Sequence, residues 1–184
     1  MIPVLIAYST TEGQTRRVAE AMAAALAEQG YRADVVDIAS ESAAQVQPFY
    51  SAAIVGGSVH MGHHASGLER FLRTHAGWLA SVPLALFSVS LTAAQEDPGS
   101  EATTARMIED LLKGTGLEPA RSCRIAGALR YSEYGPVKRM AVRSVAKATG
   151  APVDEDVEFT DWEDVRRFAV EFVRDFGGAP REVA

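Results

Sequence analysis

Ile2-Pro3-Val4-Leu5-Ile6-Ala7-Tyr8, then Ser9-Thr10-Thr11-Glu12-Gly13-Gln14-Thr15, then a run in which Val18, Met22 and Leu26 recur at helical spacing: these opening residues decide the fold. An apolar run reads as a buried strand, with Pro3 tolerable at its start. A hydroxyl-rich loop with one glycine follows, and then a helix. Such a helix start offers backbone N–H groups without helical partners and the positive end of the macrodipole, which suits a phosphate. Ser9, Thr10, Thr11 and Thr15 add hydroxyl donors, and Gly13 lets the backbone approach a ligand closely. The loop contains no lysine and is neither GxxxxGK[ST] nor GxGxxG. A capped strand–helix turn with no ligand is the plain alternative, and the rest of the chain decides between them.

Working outward, Gly30 stops the first helix and Tyr31 to Ile38 reads as a second strand. Ala52-Ala53-Ile54-Val55-Gly56-Gly57 is apolar on both faces and reads as a buried third strand. Leu68, Phe71, Leu72, His75 and Leu79 mark a helix face, and Pro83 to Val89 a fourth strand. Met107, Ile108, Leu111 and Leu112 mark a helix ending near Gly114, and Arg121 to Leu129 reads as a continuous fifth strand. Gly135-Pro136 opens a basic helix, Pro136 to Thr149. Thr160-Asp161-Trp162-Glu163 carries a capping-box pattern for a last helix with the core face Val165, Phe168, Ala169, Phe172, Val173 and Phe176. Strands alternating with helices predict an α/β three-layer sandwich around a five-stranded parallel sheet. The order 2-1-3-4-5 is expected, with ligands at the carboxyl ends of strands 1, 3 and 4.

The 184 residues, 47% of them hydrophobic, fit one domain spanning 1–184, with a basic helical segment at about 131–149. No apolar run approaches the roughly 20 residues of a membrane span, and no basic n-region precedes the first strand. A cytoplasmic protein is expected. The single cysteine, Cys123, excludes an intrachain disulfide and a thiolate cluster, and it reads as a packed strand thiol. Net charge is −6, yet residues 121–149 hold seven bases against Glu133 alone, leaving the remainder at −12. A local basic surface on an acidic chain fits an anionic partner at one place and excludes general nucleic-acid binding.

The expected topology brings three loops to one edge. The first is Ser9 to Thr15. The second is Ser58-Val59-His60-Met61-Gly62-His63-His64, and the third Ser90-Leu91-Thr92-Ala93-Ala94. Small residues, amides and flat or soft side chains beside a phosphate loop suit a planar ring with a phosphate tail. Four charge-assisted hydrogen bonds contribute roughly 6–12 kcal/mol, against an association cost of ~4–15 kcal/mol. The ring loops must therefore supply the remainder. His60, His63 and His64 lack a carboxylate or cysteine at ligand spacing, so no metal site is expected.

Several stretches resemble the flavodoxin fold and, within it, the menaquinone-dependent protoporphyrinogen IX dehydrogenase family. They are Ser9 to Thr15, Gly62-His63, Phe87-Ser88-Val89, Ile125-Ala126-Gly127-Ala128-Leu129-Arg130-Tyr131 and Thr160-Asp161-Trp162. The resemblance covers nearly the whole chain, and its last two stretches are the family-specific ones. It implies FMN as cofactor, with Ser9, Thr10, Thr11, Glu12, Gly13, Gln14 and Thr15 at the phosphate. Ser58, Val59, His60, Met61, Gly62, His63, Ser90, Leu91, Thr92 and Ala93 would frame the ring. It further implies oxidation of a porphyrinogen-like substrate with a quinone or other acceptor, and chemistry at the flavin rather than at a catalytic side chain. Where the family often has an Arg–aromatic pair, this chain has His60-Met61.

Arg139, Arg143 and Lys147 form one stripe at i, i+4, i+8. With Lys138, Tyr131 and Tyr134 they are candidates for contact with substrate carboxylates or with anionic lipid at the inner face of the membrane. A solvated helix face is the other reading. The acidic run Asp154, Glu155, Asp156 and Glu158 reads as a solvated loop or a partner for that helix, and Trp162 as core packing. Rival functions are a flavodoxin-type electron carrier, an NAD(P)H-fed flavin or quinone reductase, and an interaction module that binds no flavin. The stretch Ala126 to Tyr131, the lack of a dinucleotide fingerprint and the intact Ser9–Thr15 loop speak against them in turn.

Overall fold

The structure, a computed structural model, describes residues 2–41, 43, 46–60, 62–95, 97–129 and 156–177. Met61 and the segment with Tyr131, Tyr134, Lys138, Arg139, Arg143 and Lys147, including the expected basic helix, lie outside the described residues.

Five strands form the parallel core of one sheet: β1 (Val4–Ser9), β2 (Ala33–Asp37), β3 (Ala52–His60), β5 (Leu84–Ser90) and β6 (Arg121–Ala126). Their order is β2-β1-β3-β5-β6, the expected 2-1-3-4-5 arrangement once the short hairpin strand β4 (His63–His64) is set aside. Every residue of β1 and β5 is buried, which is why these strands read as unbroken apolar runs. Strand alternation divides the core in two. Ile6, Tyr8, Ile54, Phe87 and Ile125 face α1 (Gln14–Glu28) and α4 (Trp162–Phe176), meeting Val18, Met22, Leu26, Val165 and Phe172. Leu5, Ala7, Val55 and Leu86 face α2 (Ser66–Leu79) and α3 (Pro98–Leu112), meeting Leu68, Leu72, Ile108 and Leu111.

A Cβ on Gly56 would stand 2.2 Å from the Phe87 carbonyl oxygen and 2.4 Å from its ring. The strand therefore has glycine where β5 brings its largest side chain across. A Cβ on Gly57 would meet Leu68 Cδ2 at 2.9 Å.

Three expectations are corrected. The third strand does not stop at Gly57. It runs to His60 and folds back as β4, pairing Val59 with His64 and His60 with His63, so the second loop is a hairpin with Gly62 at φ +84° in its turn. The fifth strand is not continuous to Leu129. Its parallel partner ends at the Ser90–Ala126 pair, so beyond Gly127 the chain leaves the sheet. There β7 (Ala128–Leu129) pairs antiparallel with the returning β8 (Val157–Glu158). Finally, Asp161 rather than Thr160 caps α4, its carboxylate accepting from the Glu163 and Asp164 N–H groups at 2.9 and 3.0 Å. A carboxylate couples to the helix dipole as well as to the N–H groups, and the Thr160 hydroxyl is engaged elsewhere. On α4, Phe168 is only partly buried and Phe176 is 43% exposed, so the core face is narrower than the spacing implied.

Candidate functional site at the carboxyl edge of the sheet

The register brings the ends of β1, β3 and β5 side by side: Ser9 lies opposite Gly57, and Ser58 opposite Val89. Loop one folds on itself. Gly13 sits at φ +83° as the residue before α1, and its N–H donates to Thr10 Oγ1 at 3.0 Å. Thr11 Oγ1 and Ser58 Oγ stand 3.3 Å apart, joining loop one to the end of β3. Thr11 is exposed and Ser9 buried at the rim.

The start of α1 differs from the other capped helix starts. Asp97 caps α3 and Asp161 caps α4, and both have acidic residues in their first turns. On α1 no side chain caps the helix and the first turn holds no acid. The start of α2 also has no side-chain cap but holds Glu69 in its first turn, and a helix start with neither a side-chain cap nor an acid suits an external anion. Thr15, in the first turn of α1, is 1% exposed, and its Oγ1 is buried with no hydrogen-bond partner among the described residues. A buried hydroxyl without a partner costs about 1–3 kcal/mol, and an acceptor brought in by a ligand would remove that cost. Among the described residues, a Cβ built on Gly13 would meet nothing within 4 Å, so the space beside it is open. These residues fit a phosphate.

Gln14 has its side chain committed within the fold. Its side chain is buried and turned toward β8 and α4. Nε2 donates to Thr160 Oγ1 at 2.8 Å and to Glu158 Oε1 at 3.0 Å, and Oε1 accepts from Arg17 at 3.0 Å. Glu158, expected in a solvated acidic loop, instead sits in β8 and pairs with Arg17 at 3.1 Å. Trp162 packs half-buried against the core, and the Arg17 guanidinium stands 4.9 Å from its ring centroid.

In the second loop, His64 was unassigned from the sequence, and the structure gives it a holding position. His64 Nε2 and Ser88 Oγ are 3.0 Å apart, fastening the hairpin to β5. Burial pushes the His64 pKa down to about 4, so the imidazole is neutral near pH 7. His63 is exposed at the hairpin, and Val59, His60 and Ser58 are half-buried along its base. The period-2 pattern of a strand running on past Gly57 is the signal that would have found this contact. The third loop turns sharply: Ser90 Oγ accepts from the Ala93 N–H at 3.1 Å, and Thr92–Ala94 form one 3-10 turn. Leu91, Thr92 and Ala93 are half-buried beside it. Beyond this turn a cavity of about 400 Å³ runs along the β6 edge, between Ala93, Ile125, Phe159 and Val165. Cys123 borders it with its thiol pushed up to about 11 by burial, a packed group and not a nucleophile.

Among the described residues no three His, Cys, Asp or Glu gather as a metal site, and no helix is long and apolar enough to cross a membrane.

A family model described as a flavodoxin domain matches residues 5–156. The chain is 35% identical over 169 residues to the protoporphyrinogen IX dehydrogenase [quinone] of Escherichia coli strain K12, covering 91% of this chain and 92% of that protein. It is 34% identical over 171 residues to the protein of the same name from Leishmania major, covering 91% of this chain and 73% of that one. Among solved structures, oxidised flavodoxin 2 from Bacillus cereus superposes with a TM-score of 0.59 at 21% identity, over 95% of this chain and 99% of that one.

Proposed function

We propose, on the premise that this chain belongs to the flavodoxin-domain family and to the family of the protoporphyrinogen IX dehydrogenases [quinone], that it is an FMN-dependent dehydrogenase of a porphyrinogen with a quinone as acceptor. Membership makes it a flavin-binding oxidoreductase. The choice of FMN rests on one observation above the others: the uncapped, acid-free start of α1 with the partnerless buried Thr15 hydroxyl, which fits a terminal phosphate monoester.

Each group of residues then has a task. The N–H groups of the first turn of α1, with Thr10, Thr11 and Thr15, bind and orient the phosphate. The β3–β4 hairpin, held down by His64 on Ser88, and the Ser90–Ala93 turn frame the ring from two sides. The chemistry that FMN supplies when bound is redox exchange between porphyrinogen and quinone. The basic residues Lys138, Arg139, Arg143 and Lys147, with Tyr131 and Tyr134, serve the carboxylates of the substrate or the anionic surface of the membrane that holds the quinone.

The test is a fluorescence titration of the apoprotein with FMN and with riboflavin, followed by an anaerobic assay for porphyrin fluorescence from a porphyrinogen and a quinone. Tight quenching with FMN, much weaker quenching with riboflavin, and quinone-dependent porphyrin formation are expected. Equal affinity for the two flavins would remove the phosphate assignment. Flavin binding without porphyrin formation would leave the electron carrier as the better description.

A further inference from the structure

The Gln14 carboxamide lies next to the phosphate loop, yet both of its hydrogens are committed away from it, to Thr160 Oγ1 and Glu158 Oε1. Thr160 in turn donates its hydroxyl hydrogen to the Ala126 carbonyl oxygen at 2.7 Å. Ala126 ends β6 opposite Ser90, and the neighbouring Gly127 N–H donates to the Ser90 carbonyl at 3.0 Å. Gly127 also accepts from the Phe159 N–H at 3.1 Å. A run of hydrogen bonds thus leads from the first residue of α1, through α4's approach segment, to the residue that opens the third loop. Gln14 and Thr160 are 7% and 8% exposed. Buried amides and hydroxyls hold one arrangement because leaving either unsatisfied is costly.

We propose that Gln14 is a positioning residue that locks the phosphate loop to the β7–β8 sheet and the start of α4, so that phosphate binding and ordering of residues 126–129 and 157–162 are one coupled event. The proposal rests on the phosphate reading of loop one for its coupling, though not for the lock itself. A loose Gln14 would let α1's first turn and β8 move separately. With the lock closed, a ligand that fixes the first turn also fixes β8, Thr160 and, through Ala126 and Gly127, the base of the third loop. Phosphate occupancy is thereby transmitted to the far side of the ring site without a change of fold. The same lock ties the described parts of two family-specific stretches, 126–129 and Thr160-Asp161-Trp162, to the cofactor loop.

Hydrogen exchange of the full chain, with and without FMN, tests this in wild type, Gln14→Leu and Thr160→Val. Wild type is expected to gain protection in 157–162 on adding FMN. In Gln14→Leu the flavin-free protein should exchange at least roughly tenfold faster there, because the variant removes the bonds that hold this segment closed. FMN should then protect loop one alone. Thr160→Val should produce the reciprocal loosening in residues 13–17, which keeps the test open if the Gln14 variant fails to fold. Unchanged exchange at 157–162 in Gln14→Leu, with FMN affinity lost, would overturn the proposal and make the side chain a direct ligand. If wild type binds no FMN, the phosphate reading fails and the coupling with it, while the exchange comparison without flavin still decides whether Gln14 locks β8 to α1.

Discussion

Thr15 carries a hydroxyl that costs the empty protein stability and is expected to repay the ligand-bound one. Replacing it with valine keeps the shape and removes the partnerless Oγ1. The flavin-free Thr15→Val protein should be equally or more stable by up to about 2 kcal/mol in urea denaturation. FMN affinity should fall about 10- to 100-fold, since a hydrogen bond to a charged group contributes about 1.5–3 kcal/mol. Loss of both stability and affinity would mean that the hydroxyl already has a structural role. His64 makes a different residue-scale prediction, in pH. Its pKa is lowered from 6.5 to about 4 by burial, so between those values the unfolded chain binds a proton that the folded chain does not. Its contribution is complete above about pH 6.5 and is lost as the pH falls toward 4. Wild type should lose roughly 1–2 kcal/mol from this source between pH 7 and pH 5. The difference between urea midpoints at the two pH values should shrink in His64→Gln, which can still bond Ser88, and an unchanged difference would place the titration elsewhere.

At the scale of elements, two glycine substitutions should move stability in opposite directions. Gly56→Ala pushes a methyl against the Phe87 carbonyl at 2.2 Å, in the middle of a sheet that cannot part. It should cost about 3 kcal/mol or more. Gly77, in the exposed face of α2, has nothing within 4 Å of its would-be Cβ. Gly77→Ala should stabilise by about 0.5–1 kcal/mol through helix propensity. Thermal unfolding of the two variants checks both signs together. The same contrast shows what could be read before the structure. The five core strands and the four helices of the described residues were legible because apolar periodicity is local, and the proposal of a phosphate loop came from strand, hydroxyls, glycine and helix standing in one short stretch. The break at Gly127 was not, since Ile125 to Leu129 is apolar throughout and only the end of β5 at Ser90 takes the partner away. Nor was the Gln14 lock, whose partners lie more than 140 positions along the chain. The uncapped α1 against the capped α3 and α4 was half visible: Asp97 and Asp161 stand in the sequence, but their capping is a matter of side-chain geometry.

At the scale of the whole molecule, charge governs whether the chain meets an anionic membrane surface, as the proposed function requires. Residues 121–149 carry +6 and the remainder −12, so the net repulsion from an anionic surface must be overcome locally or not at all. Distance favours the local term: charges beyond about 8–10 Å are screened at physiological salt, so acids elsewhere on the protein hardly oppose a basic segment in contact. Part of the basic excess is already neutralised in the fold, where Arg121 pairs with Glu171 and Asp175 at 3.0 and 2.7 Å and Arg124 approaches Glu101 at 3.7 Å. Lys138, Arg139, Arg143 and Lys147 are the candidates the sequence offers for such a surface, each contributing about 1 kcal/mol beside an anionic bilayer. The full chain should therefore co-sediment with phosphatidylglycerol-containing vesicles and not with phosphatidylcholine alone, and roughly 0.5 M salt should release it. Changing all four residues to glutamine should abolish sedimentation and leave FMN titration unaltered, because none of the four is among the residues assigned to the cofactor. Equal sedimentation with neutral vesicles would point to apolar insertion instead. Loss of FMN binding in the glutamine variant would mean that the basic segment serves the cofactor site and that the porphyrinogen and quinone must reach the flavin from elsewhere.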